Sequence, residues 1–246
     1  MNPAGQIVGH YEKDGPPFVL RGYLLSNGVF TPIEIGDFSD ARGINIAGAI
    51  VGWFVSAVDG YVTHGYFLSK GNVTQIDYPS ADYTIAEALN AGGDVVGYYG
   101  INGTEHGFLL HQGVLNTIDY PGATLTNARG INLQGDIVGL YTNDPNLNGP
   151  YHGFLRKNDG IFTTVNGPGV QGGNANGINT RGQIVGEYVD PAQAGVILGF
   201  LLVKGEYTTI RYPGASITRP WKITLDGQHI VGFYNDLHGF LLSRKP

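Results

Sequence analysis

The chain has 246 residues, of which 14% are charged, with a net charge of −6, 40 Gly, one Met and no Cys. The acidic balance and absence of a basic stripe argue against a nucleic-acid partner and against docking on an anionic membrane. No apolar run reaches the roughly 18 residues that a bilayer span needs, and without Cys there are no disulfides or thiolate metal sites.

The chain opens on Asn2-Pro3-Ala4-Gly5, read as a tight turn, and then enters a strand at Ile7-Val8-Gly9. That Ile-Val-Gly phrase returns at Ile50, Val95 (as Val-Val-Gly), Ile137, Ile184 and Ile230. A repeat at this spacing marks a small unit that cannot bury its apolar face alone. Each unit is predicted to hold four short strands, A to D, rich in β-branched and aromatic residues and bounded by Gly, Asn or Pro. Strand A ends near Ile44, Leu89, Ile131, Ile178 and Ile223, and strand B is the Ile-Val-Gly run. Strand C starts around Gly22, Gly65, Gly107, Gly153, Gly199 and Gly239, while strand D carries Ile33, Ile76, Ile118, Val165 and Ile210.

Strands A and B are joined by Asn-x-x-Gly (Asn45 to Gly48, Asn90 to Gly93, Asn132 to Gly135, Asn179 to Gly182), read as turns in which Asn and Gly tolerate positive φ. Short Gly turns join C to D. The longer B–C and D–A loops fall at the opposite edge, where a rigid scaffold usually carries function. Units of about 40–50 residues with four strands predict an all-β chain: a β-propeller of four-stranded antiparallel blades, six favoured over five. One domain spans residues 1–246, with blades roughly at 1–37, 38–81, 82–123, 124–169, 170–215 and 216–246. Strand A is placed innermost, because its Ala- and Gly-rich sequence permits close approach. No signal peptide is visible and the chain starts inside a repeat, which reads as a mature or trimmed form.

The motif His64-Gly65-Tyr66-Phe67, repeated as His106-Gly107-Phe108, His152-Gly153-Phe154 and His238-Gly239-Phe240 beside Gly-Ile-Asn and Ile-Val-Gly, resembles the bacterial HAF, or probable extracellular, repeats. The first copy departs with Arg21 and the fifth with Leu198 at the His position. The resemblance covers nearly the whole chain and implies a bacterial protein, extracellular or periplasmic. It implies no particular reaction.

Within so regular a repeat, positions that change chemistry carry the functional signal. The residue before Gly-Ile-Asn, or its equivalent, reads Arg42, Glu87, Arg129, Asn176 and Trp221, and is expected to open into the funnel on the long-loop face. Arg42 and Arg129 suit a carboxylate or sulfate, unless each pairs with an acid such as Asp77 or Asp119. Glu87 suits an acid, a base or a hydroxyl acceptor. The residue after Ile-Val-Gly reads His10, Trp53, Tyr98, Leu140, Glu187 and Phe233, and the next is always aromatic, consistent with packing between blades. Trp53, Tyr98 and Trp221 beside these polar groups suit a sugar, whose C–H faces stack and whose hydroxyls need fixed partners.

The four equivalent histidines are read as hydrogen-bonding groups that hold the blades together, and His10, His111 and His229 as surface residues. Asp144-Pro145-Asn146-Leu147-Asn148-Gly149 matches only half of a calcium loop, because Leu155 stands where the closing Glu belongs. It is read as a turn, with no metal or other cofactor expected. The leading expectation is a carbohydrate-binding, lectin-like module for a glycan or other small polar ligand, with Arg42, Glu87, Arg129, Asn176, Trp221, Trp53 and Tyr98 as binding residues. The alternative is a glycan hydrolase or lyase with Glu87 and Glu187 as catalytic carboxylates, and a third is a surface scaffold for protein partners.

Overall fold

The computed structural model describes residues 1–13, 19–147, 149–235 and 238–244. Within them the short β-branched and aromatic runs form 22 strands in six antiparallel meanders, each ordered as in the sequence. The alternative of five sheets is thereby set aside. The unit Met1–Ile118 holds three sheets. The first is β1 (Ile7–Lys13), β2 (Val19–Ser26) and β3 (Val29–Ile33). The second is β4 (Phe38–Ile44), β5 (Ile50–Val55), β6 (Thr63–Ser69) and β7 (Asn72–Ile76). The third is β8 (Tyr83–Leu89), β9 (Val95–Ile101), β10 (Thr104–His111) and β11 (Val114–Thr117).

The unit Asp119–Pro246 holds the other three. They are β12 (Leu125–Ile131) to β13 (Ile137–Thr142), β14 (His152–Arg156) and β15 (Phe162–Thr164); β16 (Asn174–Ile178) to β17 (Ile184–Val189), β18 (Ile197–Val203) and β19 (Glu206–Ile210); and β20 (Thr218–Ile223), β21 (His229–Tyr234) and β22 (His238–Ser243).

In the four-stranded sheets the A and B strands are the most buried and the D strands the least. The A strands β4, β8 and β12 are almost wholly buried, whereas the D strands β3 and β7 expose all but their final Ile. The core therefore lies between successive sheets of a unit. Tyr66, Phe108, Phe154 and Phe200, on four of the six C strands, have no exposed surface, and each such burial contributes about 1.5–3 kcal/mol.

The recurring glycines follow from this packing. A Cβ on Gly52, Gly97, Gly139, Gly186 or Gly232 would lie closer than 3.0 Å to a carbonyl of the adjacent A strand and to the C-strand ring beside it, which is buried in all but the last. Any side chain there would break the sheet. The Gly after the His position has a different neighbour: Gly22, which follows Arg21, faces Ala41 of the next sheet, Gly65 faces Ala86, and Gly153 faces Ala175.

The C–D hairpins have two-residue loops with both residues at positive φ, as at Asn27-Gly28, Lys70-Gly71, Gln112-Gly113 and Lys204-Gly205, which matches the right-handed strand twist. The A–B turns work differently from the expectation. Their Gly is at positive φ but their Asn is not; the Asn acts through its side chain. Asn45 Oδ1 accepts from the backbone N–H of Ala47 and Ala49, and its Nδ2 donates to the Asn90 carbonyl of the next sheet. Asn2 reaches Asn45, Asn132 reaches Asn179, and Asn179 reaches Thr224 in the same manner. A second staple is aromatic. Tyr78 stacks on Tyr99 at 3.7 Å and Tyr120 on Tyr141 at 3.6 Å, with His106 and His152 packed beyond.

Candidate functional site

Each A strand that pairs with a B strand carries a β-bulge, lying between Ala41 and Gly43, Ala86 and Ala88, Ala128 and Gly130, Ala175 and Gly177, and Pro220 and Lys222. The extra residue is Arg42, Glu87, Arg129, Asn176 or Trp221. The position that varies in the sequence is thus the one residue that the ladder does not pair, which frees its side chain to be re-aimed. The bulge residue sits three residues before the Asn that opens the A–B turn, nearer the tight turns than the long-loop rim where it was expected.

In the unit Met1–Ile118 the bulge residues of neighbouring sheets meet. Arg42 Nη1 donates to Glu87 Oε1 at 2.9 Å, and Arg42 Nε donates to Asp40 Oδ2 at 2.6 Å. His10 Nδ1 lies 3.1 Å from Asp40 Oδ1. Asp40 and Glu87 are 2% and 1% exposed, so water screens them little. Burial alone would push the Asp40 carboxyl up, but Arg42 and His10 hold it below its usual value. Burial also works against the Arg42 charge, and Glu87 and Asp40 override it. The hydrogen bond to Asp40 raises the His10 imidazole above its ordinary 6.5. Glu87 Oε2 and Trp53 Nε1 are buried without a hydrogen-bond partner among the described residues. Trp53 pairs across the ladder with Asp40, and Tyr98 with Ile85. Arg42 therefore does not pair with Asp77, which instead holds His64 at 2.7 Å.

In the unit Asp119–Pro246 Arg129 Nη1 donates to Asn176 Oδ1 at 2.9 Å, and Asn176 Nδ2 donates to the Pro220 carbonyl at 3.0 Å. The Arg129 guanidinium lies 5.1 Å from the Trp221 ring centre. Lys222 takes the place held by glycine or alanine in the other bulges, and its Nζ donates to the Arg129 carbonyl at 2.5 Å. Glu187 belongs to a separate cluster. Asn174 Nδ2 donates to its Oε1 at 2.8 Å, and Arg219 Nε lies 3.0 Å from its Oε2. This pair lines a cavity of about 540 Å³ beside the long loops, walled by Tyr151, Val170 and Tyr188. Glu87 and Glu187 thus each stand among their own partners in different units.

Sequence reading missed Asp40, Asn174 and Arg219, although their position, two before the bulge residue, also varies (Asp, Ile, Asn, Asn, Arg). His10 is exposed, as the sequence reading had it, and the structure adds its tie to Asp40. Asp144 closes a turn by accepting from the Asn146 N–H, while Asn148 of the calcium-like string lies outside the described residues. Among the described residues no three His, Cys, Asp or Glu gather as metal ligands, and no helix is long and apolar enough to cross a membrane.

No protein-family model and no curated protein sequence matches the chain. Solved structures do. TolB from Acinetobacter baumannii matches with a TM-score of 0.69 at 11% identity, over 96% of this chain and 60% of its own. A chain of a nidogen/laminin complex matches at 0.54 and 13% identity, over 94% of this chain and 85% of that one. A gluconolactonase from Xanthomonas campestris matches at 0.52 and 10% identity, over 86% and 74%. The chain is a six-bladed β-propeller. At these identities the likeness shows the propeller fold alone, and this propeller spans 60% of the TolB chain.

Proposed function

We propose that this propeller binds carbohydrate through its bulge residues and the groups beside them. The observation that carries the reading is the contact between bulge residues of different blades, with chemistry that does not repeat: Arg42 with Glu87, and Arg129 with Asn176 and Trp221. A residue kept only for folding would repeat, as the Ile or Leu that ends each A strand does. A guanidinium beside a carboxylate in one unit, and a guanidinium beside a carboxamide and an indole in the other, each match groups of a sugar ring, its hydroxyl rim or its apolar face. Calorimetry against a glycan panel tests this. Binding that weakens at least tenfold in Glu87→Gln or Trp221→Ala supports it, and silence across the panel overturns it.

A second reading, a glycan-active enzyme, is favoured by one feature. Asp40 and Glu87 form a buried carboxylate pair bridged by Arg42, with His10 alongside and Glu87 Oε2 without a hydrogen-bond partner among the described residues. Such a constellation can hold and move a proton. Turnover of chromogenic glycosides that Glu87→Gln leaves unchanged would remove it. The resemblance to extracellular repeats supports a bacterial protein acting outside the cytoplasm, to be tested by detecting the chain in periplasmic and secreted fractions.

A further inference from the structure

We propose that strand β22 is a docking edge that takes an extended segment of a partner polypeptide as a fourth strand, a segment of the pattern aromatic-Thr-Thr-Ile. The proposal stands apart from the carbohydrate reading. In five sheets a D strand covers the outer side of the C strand, whereas β20-β21-β22 has three strands among the described residues. Gly22, Gly65, Gly107, Gly153 and Gly199 are buried on their C strands, but the equivalent Gly239 is exposed, as are Leu241 and Leu242 at 53% and 37%. A Cβ on Gly65, Gly153 or Gly199 would come within 3.3 Å of Ile76, Val165 or Ile210 of the D strand, while one on Gly239 would meet nothing nearer than 4.0 Å. Strand β22 therefore keeps a glycine that its own sheet does not require.

The five D strands show what chemistry fits such an edge. The residue set on the C-strand Gly is Ile33, Ile76, Ile118, Val165 or Ile210. Opposite the C-strand ring stand Thr117, Thr164 and Thr209 in three sheets. Each of these hydroxyls meets a B-strand tyrosine: Tyr99 and Tyr141 at 2.9 Å, and Tyr188 at 3.1 Å. The equivalent Tyr234 stacks on Tyr212 at 3.7 Å, with no D-strand threonine beside it among the described residues. Three residues before the Ile, the D strands place Phe30, Val73, Leu115, Phe162 or Tyr207 opposite the position of Leu242. An incoming strand of this pattern covers Gly239 with its Ile, meets Tyr234 with its Thr and packs its ring on Leu242. The backbone is ready as well. Ile118 and Val165 donate to the Gly107 and Gly153 carbonyls, while Arg244 donates back to Gln228 beside β21. By that alternation Gly239 and Leu241 turn their N–H and C=O outward, where an extended peptide adds by main-chain hydrogen bonds.

The test is fluorescence anisotropy of a labelled peptide copying residues 205–211 (Gly-Glu-Tyr-Thr-Thr-Ile-Arg), titrated with the whole chain. It is expected to bind about tenfold tighter than a scrambled peptide, because only the ordered one matches side chains to Gly239, Tyr234 and Leu242. Leu241→Pro removes an outward N–H without removing a bond to β21, and Gly239→Ile fills the place that the incoming Ile takes. Both variants are expected to lose the ordered peptide while keeping the melting temperature of the parent chain; should Leu241→Pro fail to fold, Gly239→Ile decides. Equal binding of the ordered and scrambled peptides, no binding of either, or binding that Gly239→Ile leaves unchanged overturns the proposal. Sedimentation that shows the chain pairing with itself, with Leu241→Pro returning it to monomer, gives the edge to a second copy and overturns the partner named here.

Discussion

The networks around Arg42 and Arg129 share a backbone and differ in charge. Both arginines are the unpaired residue of a bulge, and both reach the bulge residue of the next blade. One is enclosed by two buried carboxylates and held by His10 through Asp40. The other is held by a neutral amide and an indole. The difference teaches that a propeller repeat can keep a side chain's geometry constant while its neighbours decide whether its charge is neutralised. A buried ion cluster is costly to break from one side, because it leaves uncompensated charge behind. A cation held by a neutral amide and a ring leaves no such charge behind when it is removed.

The sharpest way to break this comparison is to remove each guanidinium. Arg42→Ala leaves Asp40 and Glu87 buried without their partner and is expected to cost about 3–5 kcal/mol. Arg129→Ala is expected to cost about 1 kcal/mol or less. Urea unfolding of the two variants reads the contrast, and equal losses would erase it. Next in size is Gly97→Ala against Gly139→Ala. Both place a methyl group against an A-strand carbonyl and a buried Phe, so each is expected to lose about 3 kcal/mol. A gap of more than about 1 kcal/mol between them would mean that the two units do not share this packing.

Asn45→Ala removes two turn hydrogen bonds and one staple to the next blade, an expected loss of about 1–3 kcal/mol, read as a lowered melting temperature. The smallest effect is that of pH on His10. Its imidazole is raised from 6.5 by Asp40, so the stabilisation is present in full below about pH 6.5 and fades as the pH rises through the folded-state value. The imidazole is half exposed, so the effect is expected to stay below about 1 kcal/mol. His10→Gln should flatten that part of the stability profile, and an unchanged profile would detach His10 from the Asp40 network.

Strand positions, the four-strand unit and the six-fold count were legible because alternating β-branched, aromatic and Gly residues report local backbone needs. The variable position was legible too, from its contrast with constant neighbours. The bulge was not, because Ala-Arg-Gly-Ile reads as unbroken strand until a partner shows which residue goes unpaired. Asp40 and His10 were also hidden, since their significance lies in meeting Arg42 from other strands. The Asn of each A–B turn was noticed for the wrong reason: its side chain rather than its φ does the joining.

The order of residues was enough to settle the repeat, the strands, the hairpin chemistry and the list of positions where chemistry varies, because each depends on contacts within one blade. Which arginine is neutralised and which carboxyl oxygen stays unpaired came from the packed molecule. Those outcomes depend on side chains about 45 residues apart meeting across blades in a low-dielectric interior, where a neighbour's charge outweighs a residue's own chemistry.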